Sequence, residues 1–260
     1  MKKIDIDRLD KLPGIRIKND DSFTFRCYPG IGCFNRCCRN LNLFLYPYDV
    51  IRLKHVMNIS SDAFLDKYVD VVLRPGNYFP EVLLRMSEND EKSCPFLMPS
   101  GCSVYPDRPD TCRTFPFEQG ILYDARTKKD VPVYFFRPPE FCEGPYEEYE
   151  WTMAAWTADQ DAGQHHKMTI RWAGLKRLFQ NDPWGREGPR GARAKMAFMA
   201  IYNVDRFREF VFQSSFTKRY KVKTAILKKL EADDVELMKF GFEWVKLFLW
   251  GMKSKQIRQR

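Results

Sequence analysis

Four cysteines fall within one short run, Arg26-Cys27-Tyr28-Pro29-Gly30-Ile31-Gly32-Cys33-Phe34-Asn35-Arg36-Cys37-Cys38-Arg39, and four more follow at Cys94, Cys102, Cys112 and Cys142. So dense a set of thiols needs either an oxidising compartment, where disulfides form, or a metal that binds thiolates. At 260 residues the chain can bury an apolar core, so it lacks the small secreted domain's need for cross-links. Hydrophobic residues make up 44% and Phe alone 21 positions, which excludes a disordered chain. The start, Met1-Lys2-Lys3-Ile4-Asp5-Ile6-Asp7-Arg8, places charges where a signal peptide needs an apolar run. The most apolar stretch, Phe240 to Met252, falls short of the roughly 20 residues of a membrane span and carries Glu243 and Lys246. The expected compartment is a reducing bacterial or archaeal cytoplasm with no membrane partner, where the cysteines serve as ligands.

The spacing narrows the ligand chemistry. It reads C-x5-C-x3-C-C, then C-x7-C-x9-C, then Cys142. No C-x2-C pair occurs, which argues against a thioredoxin-like dithiol, and no C-x-x-C-H attaches a haem. Only Cys33 and Cys37 have the spacing of a zinc hook. In an extended chain the neighbours Cys37 and Cys38 point to opposite sides. Two sites back to back, or one polynuclear cluster, then suit the pair better than a single tetrahedral ion. Iron–sulfur clusters take four thiolates each, so eight cysteines match two clusters, or one cluster with spare thiols or a zinc site. A four-iron cluster is the favoured cofactor and Zn²⁺ the alternative. Arg26, Arg36, Arg39, Arg108 and Arg113 lie beside the cysteines and are candidates to offset thiolate charge and donate to sulfur.

The rest of the chain predicts an α+β fold: a compact, loop-rich cysteine domain with a few short strands and helices, followed by a mainly helical part. Residues 1–22 read as a polar leader, 23–145 as the metal-binding domain and 146–260 as the helical region. Phe23–Arg26 and Glu81–Met86 read as strands, and Val131–Phe136 as an edge strand because Pro132 cannot donate to a ladder. Pro47 starts a helix burying Val50, Leu53 and Met57, and Ser60 or Ser61 caps the next one. Five prolines between Cys94 and Phe117 make that segment a rigid loop system. Beyond Tyr146, helical faces run through Met168, Trp172, Leu175 and Phe179, then Met196, Ala200, Phe207 and Val211, then Val235, Met238, Phe242, Val245 and Leu249.

The strings Cys94-Pro-Phe-Leu, Gly101-Cys102-Ser-Val-Tyr105 and Arg108-Pro109-x-x-Cys112-Arg113-Thr-Phe-Pro116, after an opening that ends in Cys37-Cys38, resemble the YkgJ-type cysteine-cluster proteins. That resemblance covers about residues 23–145 and implies zinc or iron chelation. It assigns the ligand role to Cys33, Cys37, Cys38, Cys94, Cys102 and Cys112, with Cys27 and Cys142 joining them. Where many members read C-x2-C-x2-C-C, the first motif here is C-x5-C-x3-C-C. Its x3 spacing is similar to that of flagellin lysine N-methylases, which makes a cluster-dependent protein methyltransferase the enzymatic alternative.

The formal net charge is +9, and residues 217–260 hold 12 Lys and Arg against 5 Asp and Glu. A solvated helical face is the favoured explanation, with a nucleic-acid-binding metal or redox sensor as a third reading. A protein or redox partner is expected of a cluster protein. The remaining polar residues suggest no catalytic set: His165-His166 reads as an exposed helix start, His55 as a surface residue, and Glu147-Glu148 and Asp233-Asp234 as helix N-terminal turns. Tyr105 and Phe115 are expected to pack the loop system.

Overall fold

The computed structural model describes residues 3–4, 12–18, 21–124 and 126–260. It is a mixed α+β structure that divides into two compact units, one of Met1–Leu43 with Arg85–Gly174, the other of Phe44–Leu84 with Leu175–Arg260. Among the described residues, no helix is long and apolar enough to cross a membrane.

The first unit is built on a hairpin. Strands Phe117–Asp124 and Lys129–Phe136 pair antiparallel from Phe117↔Phe136 to Asp124↔Lys129. Asp124 closes the turn by accepting from the Arg126 N–H (2.9 Å) and the Thr127 hydroxyl (2.8 Å). Lys3–Ile4 adds to one side of this hairpin and Ile15–Ile17 to the other, giving a four-stranded sheet. The strand carrying Pro132 is therefore not an edge strand along its whole length. Its second neighbour covers only Tyr134 to Phe136, so the proline sits where no outer N–H is required. Of the 1–22 leader, residues 1–2, 5–11 and 19–20 lie outside the described residues.

Against this sheet packs an aromatic cluster in which Phe23 meets Phe117 edge-on at 4.8 Å and Phe25 meets Trp156 edge-on at 5.5 Å. Strand Ser22–Thr24 pairs with Glu150–Thr152 and holds these rings in place. The buried cysteines Cys33 and Cys142 belong to the same cluster. Residues 94–116 form the expected loop system: two-residue strands at Leu97–Met98 and Gly101–Cys102, a 3₁₀ turn at Tyr105–Asp107, and one helical turn at Asp110–Arg113. Gly101 takes φ +127°, a conformation side chains rarely adopt, which lets this small hairpin close.

The second unit is mainly helical. Strands Phe44–Leu45, Glu81–Leu84 and Val69–Val72 form one small sheet, with 81–84 in the middle. Helix Pro47–Val56 starts at its proline and buries Val50 and Leu53, and Ser60 caps helix Ser61–Tyr68 by accepting from Ala63 N–H (3.1 Å). Phe207, Phe216, Phe240 and Trp244 are fully buried together. In helix Asp234–Trp250, Gly241 lies so close to the Ala200 carbonyl that no side chain would fit. Asp233 caps that helix, accepting from Val235 (2.7 Å) and Glu236 (3.0 Å).

The face predicted to run from Met196 to Val211 is not one helix. Asn203 ends Ala192–Tyr202 and caps Val204–Gln213, its side chain accepting from Arg206 N–H at 3.3 Å. Asparagine favours such a cap over a helix interior because its side chain competes for nearby backbone donors. Glu147-Glu148 begins no helix either: Thr152 is the cap of the helix that follows, Met153–Asp159.

Candidate metal centre

All eight candidate ligands, Cys27, Cys33, Cys37, Cys38, Cys94, Cys102, Cys112 and Cys142, lie in the first unit, and none of them is in a disulfide. Cys33 and Cys142 are buried, Cys38, Cys94 and Cys102 half-buried, and Cys27, Cys37 and Cys112 exposed.

The backbone between the first four cysteines explains how they converge. Ile31 and Phe34 donate to carbonyls three residues back, at 3.3 and 2.9 Å, which curls residues 28–34 into successive turns. Asn35 then takes φ 64° and starts a 3₁₀ turn over Arg36–Cys38. On this turn Cys37 and Cys38 do not point apart as they would in an extended chain; their sulfurs stand 4.0 Å from each other. Cys94 is brought to the same place by its N–H, which donates to the Cys38 carbonyl at 2.8 Å.

The electrostatics join these thiols into one connected set. Burial, then the charges of Cys33 and Cys38, pushes the Cys27 thiol up, and burial raises Cys102 as well. Burial also lifts Cys94 and Cys142 to about 11, with Cys38 and Cys102 contributing at the first and Cys33 and Cys27 at the second. Cys37 and Cys38 are linked by a hydrogen bond between their sulfurs. The Cys37 thiol donates to Cys38, whose pKa falls to about 7; burial opposes this and the Arg39 cation assists. Cys37 is held protonated by the same hydrogen bond, by burial, and by the charges of Cys38, Cys27 and Cys112. The sulfurs are gathered without being closed around a point: among the described residues no three Cys, His, Asp or Glu side chains form a ready metal position.

Backbone donors are aimed at the sulfurs in a repeated pattern. Cys94 accepts from the N–H of Phe96, Cys102 from that of Val104 and Cys142 from that of Gly144, in each case two residues onward. Cys33 accepts from Glu143 N–H at 3.2 Å. Such N–H groups lower the energy of a thiolate, as they do around metal-bound sulfur. Gly144 has no room for a side chain, because Phe25 occupies the space.

The arginines expected to donate to sulfur have other partners. Arg108 donates to Tyr105 O (2.6 Å) and Gln160 Oε1 (2.7 Å), and Arg113 to Gln160 O and Pro106 O (both 2.6 Å), so these two buried cations clamp the loop around Cys112. Arg39 pairs with Glu91 at 2.9 Å, Arg36 stacks over Phe141 and Arg26 over Tyr28. Arg39 and Arg108 still act through space, lowering Cys38 and Cys102 respectively. Tyr105 is exposed beneath Arg108, while Phe115 does pack on the aromatic cluster.

A buried polar group escaped the sequence reading. Asp110 accepts from the Thr169 hydroxyl at 2.8 Å, tying the turn that carries Cys112 to helix Gly163–Leu178. His165 and His166 are buried on that helix, not exposed at its start, and His166 Nδ1 lies 3.3 Å from the Tyr134 hydroxyl. Burial, with neighbouring His165, depresses His166 to about 4. The available signal was the i, i+3 spacing of His166 and Thr169 on a helix whose apolar face starts at Met168.

Eight cysteines outside any disulfide, several served by backbone N–H donors, make a donor set suited to a soft or borderline ion such as zinc or iron. This is the chemistry of a cysteine-thiolate metal-binding domain. Residues 26–148 match the family model CxxCxxCC, described as "Putative zinc- or iron-chelating domain". Its first motif departs from the pattern that gives the family its name, with five and three residues between cysteines where that pattern has two and two. No solved structure matches the chain.

Proposed function

We propose that the chain is a cytoplasmic metal-binding protein that holds iron as one or two iron–sulfur clusters through its cysteines, for electron transfer or metal handling. The observation that carries this reading is the presence of eight cysteines, none in a disulfide, in one compact unit, each in electrostatic contact with another. Eight is twice the four-thiolate requirement of a cluster. The 4.0 Å separation of the Cys37 and Cys38 sulfurs is close to the edge of about 3.8 Å that a Zn–S bond of about 2.3 Å gives a tetrahedral site. The adjacent pair is therefore open to a shared ion as well as to a cluster, and zinc is the competing occupant. When bound, the metal neutralises thiolate charge that the apolar surroundings otherwise disfavour. The chain's own part is to gather the sulfurs, aim N–H groups at them and exclude water from Cys33 and Cys142.

The test is the visible spectrum of protein purified without oxygen. A brown solution with broad absorption that bleaches on reduction is the expected result. A colourless protein with stoichiometric zinc overturns the iron–sulfur assignment.

A further inference from the structure

The basic segment 217–260 sorts its cations into two sets. On helix Asp234–Trp250 they are neutralised locally, Lys239 donating to Glu236 at 2.8 Å and Lys246 to Glu243 at 2.9 Å. Of the other ten, five lie on or beside a small ribbon, and Lys218, Lys228, Lys229, Lys253 and Lys255 lie outside it. Strands Tyr220–Val222 and Ile257–Gln259 pair antiparallel with Lys221 opposite Arg258, and the N–H of Arg260 donates to Arg219 O at 3.0 Å, extending the ladder by one pair. Alternation turns Tyr220 and Ile257 into the core and Lys221 and Arg258 outward; Lys223 and Arg260, just beyond the strands, and Arg219, at the end of the helical turn Phe216–Arg219, are exposed beside them. Lys221 faces Arg258. Like charges directly across a sheet destabilise it. Among the described residues no carboxylate pairs with any of these five cations.

We propose that this ribbon binds the phosphate backbone of double-stranded nucleic acid without reading its sequence, independently of the metal. Cations two residues apart along a strand are about 6.8 Å apart, twice the rise per residue. A duplex strand presents a phosphate for about every 3.4 Å of its axis, so successive cations meet a regular row of charge. Three of the five are arginines, whose forked guanidinium matches phosphate oxygens. The outward face carries no aromatic residue to stack on unpaired bases and no aliphatic residue to enter a bilayer. That leaves duplex phosphate as the best match.

The experiment measures binding of the full chain, metal as purified, to short duplexes of unrelated sequence between 50 and 200 mM salt. The expected result is equal affinity for all sequences and a slope of log K against log salt of about −4.5 for five neutralised phosphates. Lys221→Gln with Arg258→Gln lowers the affinity and makes the slope shallower by about 2, with unchanged metal content and a melting point no lower than the parent's. Lys221→Arg, which keeps the charge, binds as the parent does where Lys221→Gln binds more weakly, and Lys239→Gln on the neutralised helix has no effect. The proposal is overturned if the duplex does not bind at 50 mM salt or if the double variant binds as the parent does. It is equally overturned if anionic vesicles or polyglutamate, and not the duplex, respond to the ribbon substitutions.

Discussion

The two compact units are held together by different means. The second has fully buried aromatic rings and closed ion networks. Lys54 lies between Asp205 (2.9 Å) and Asp234 (2.7 Å), with Arg208 also on Asp234, and Glu81 receives Arg74, Lys176 and Asn77. The first has a smaller aromatic cluster, short strands and a proline-rich loop, and it carries all eight cysteines, two of them buried. A core can be completed by its own side chains or by an ion, and the proposed function makes the first unit one of the second kind. The distinction is one of energetics: burial and ion pairs dominate in the second unit, while on the proposed reading metal binding adds to the hydrogen bonds that the thiols of the first already make.

The largest effect that tests this contrast is metal removal. Chelation under anaerobic conditions should strip hydrogen-exchange protection from residues 94–113 and from the turns between Cys27 and Cys38. Helix Asp234–Trp250 should keep its protection. Equal loss in both units would break the contrast. Next in size is Asp234→Ala, which leaves buried Lys54 with one carboxylate fewer; breaking such a pair costs on the order of 3–5 kcal/mol. Urea unfolding should show the loss in the second unit with metal content unchanged.

Acid separates the units more gently. His166 titrates near 6.5 when unfolded and near 4 in the fold, so its neutral form contributes stability that is complete above pH 6.5 and is lost as pH falls toward 4. Protons also compete with metal for the raised thiols over this range. In the second unit burial opposes ionisation of Glu81, Asp205 and Asp234, but their cationic and hydrogen-bond partners outweigh it and hold all three low. Their contribution is present above the ordinary carboxylate range and lost only as pH falls below it. Between pH 6.5 and 4 the first unit should therefore loosen while the second persists, as amide exchange measured across that window will report.

Much of this was legible in the chain itself. The helical face Met168–Trp172–Leu175–Phe179 is buried as its spacing predicts, and Ser60, Asp233 and Pro47 act as the expected helix signals. The cysteines identified the site because no other residue type carries that chemistry at that density. What the sequence hid depends on contacts between distant residues. Residues 44–84 contain no cysteine and sit between two cysteine segments, yet they pack with residues 175–260, as Lys54 meeting Asp205 and Asp234 illustrates. The direction of Cys37 and Cys38 turned on Asn35 adopting a left-handed conformation, which converts an extended pair into neighbours on a 3₁₀ turn. The roles of Arg108 and Arg113 turned on Gln160, nearly fifty residues away, whose carbonyl and amide oxygens claim both cations.

The most direct test is the metal content of anaerobically purified protein, measured beside Cys37→Ser and Cys38→Ser variants. Stoichiometric iron or zinc is predicted in the parent, with a clear deficit in both variants, whose helical second unit stays folded. A parent that is folded, free of metal and has eight titratable thiols would contradict a core completed by an ion.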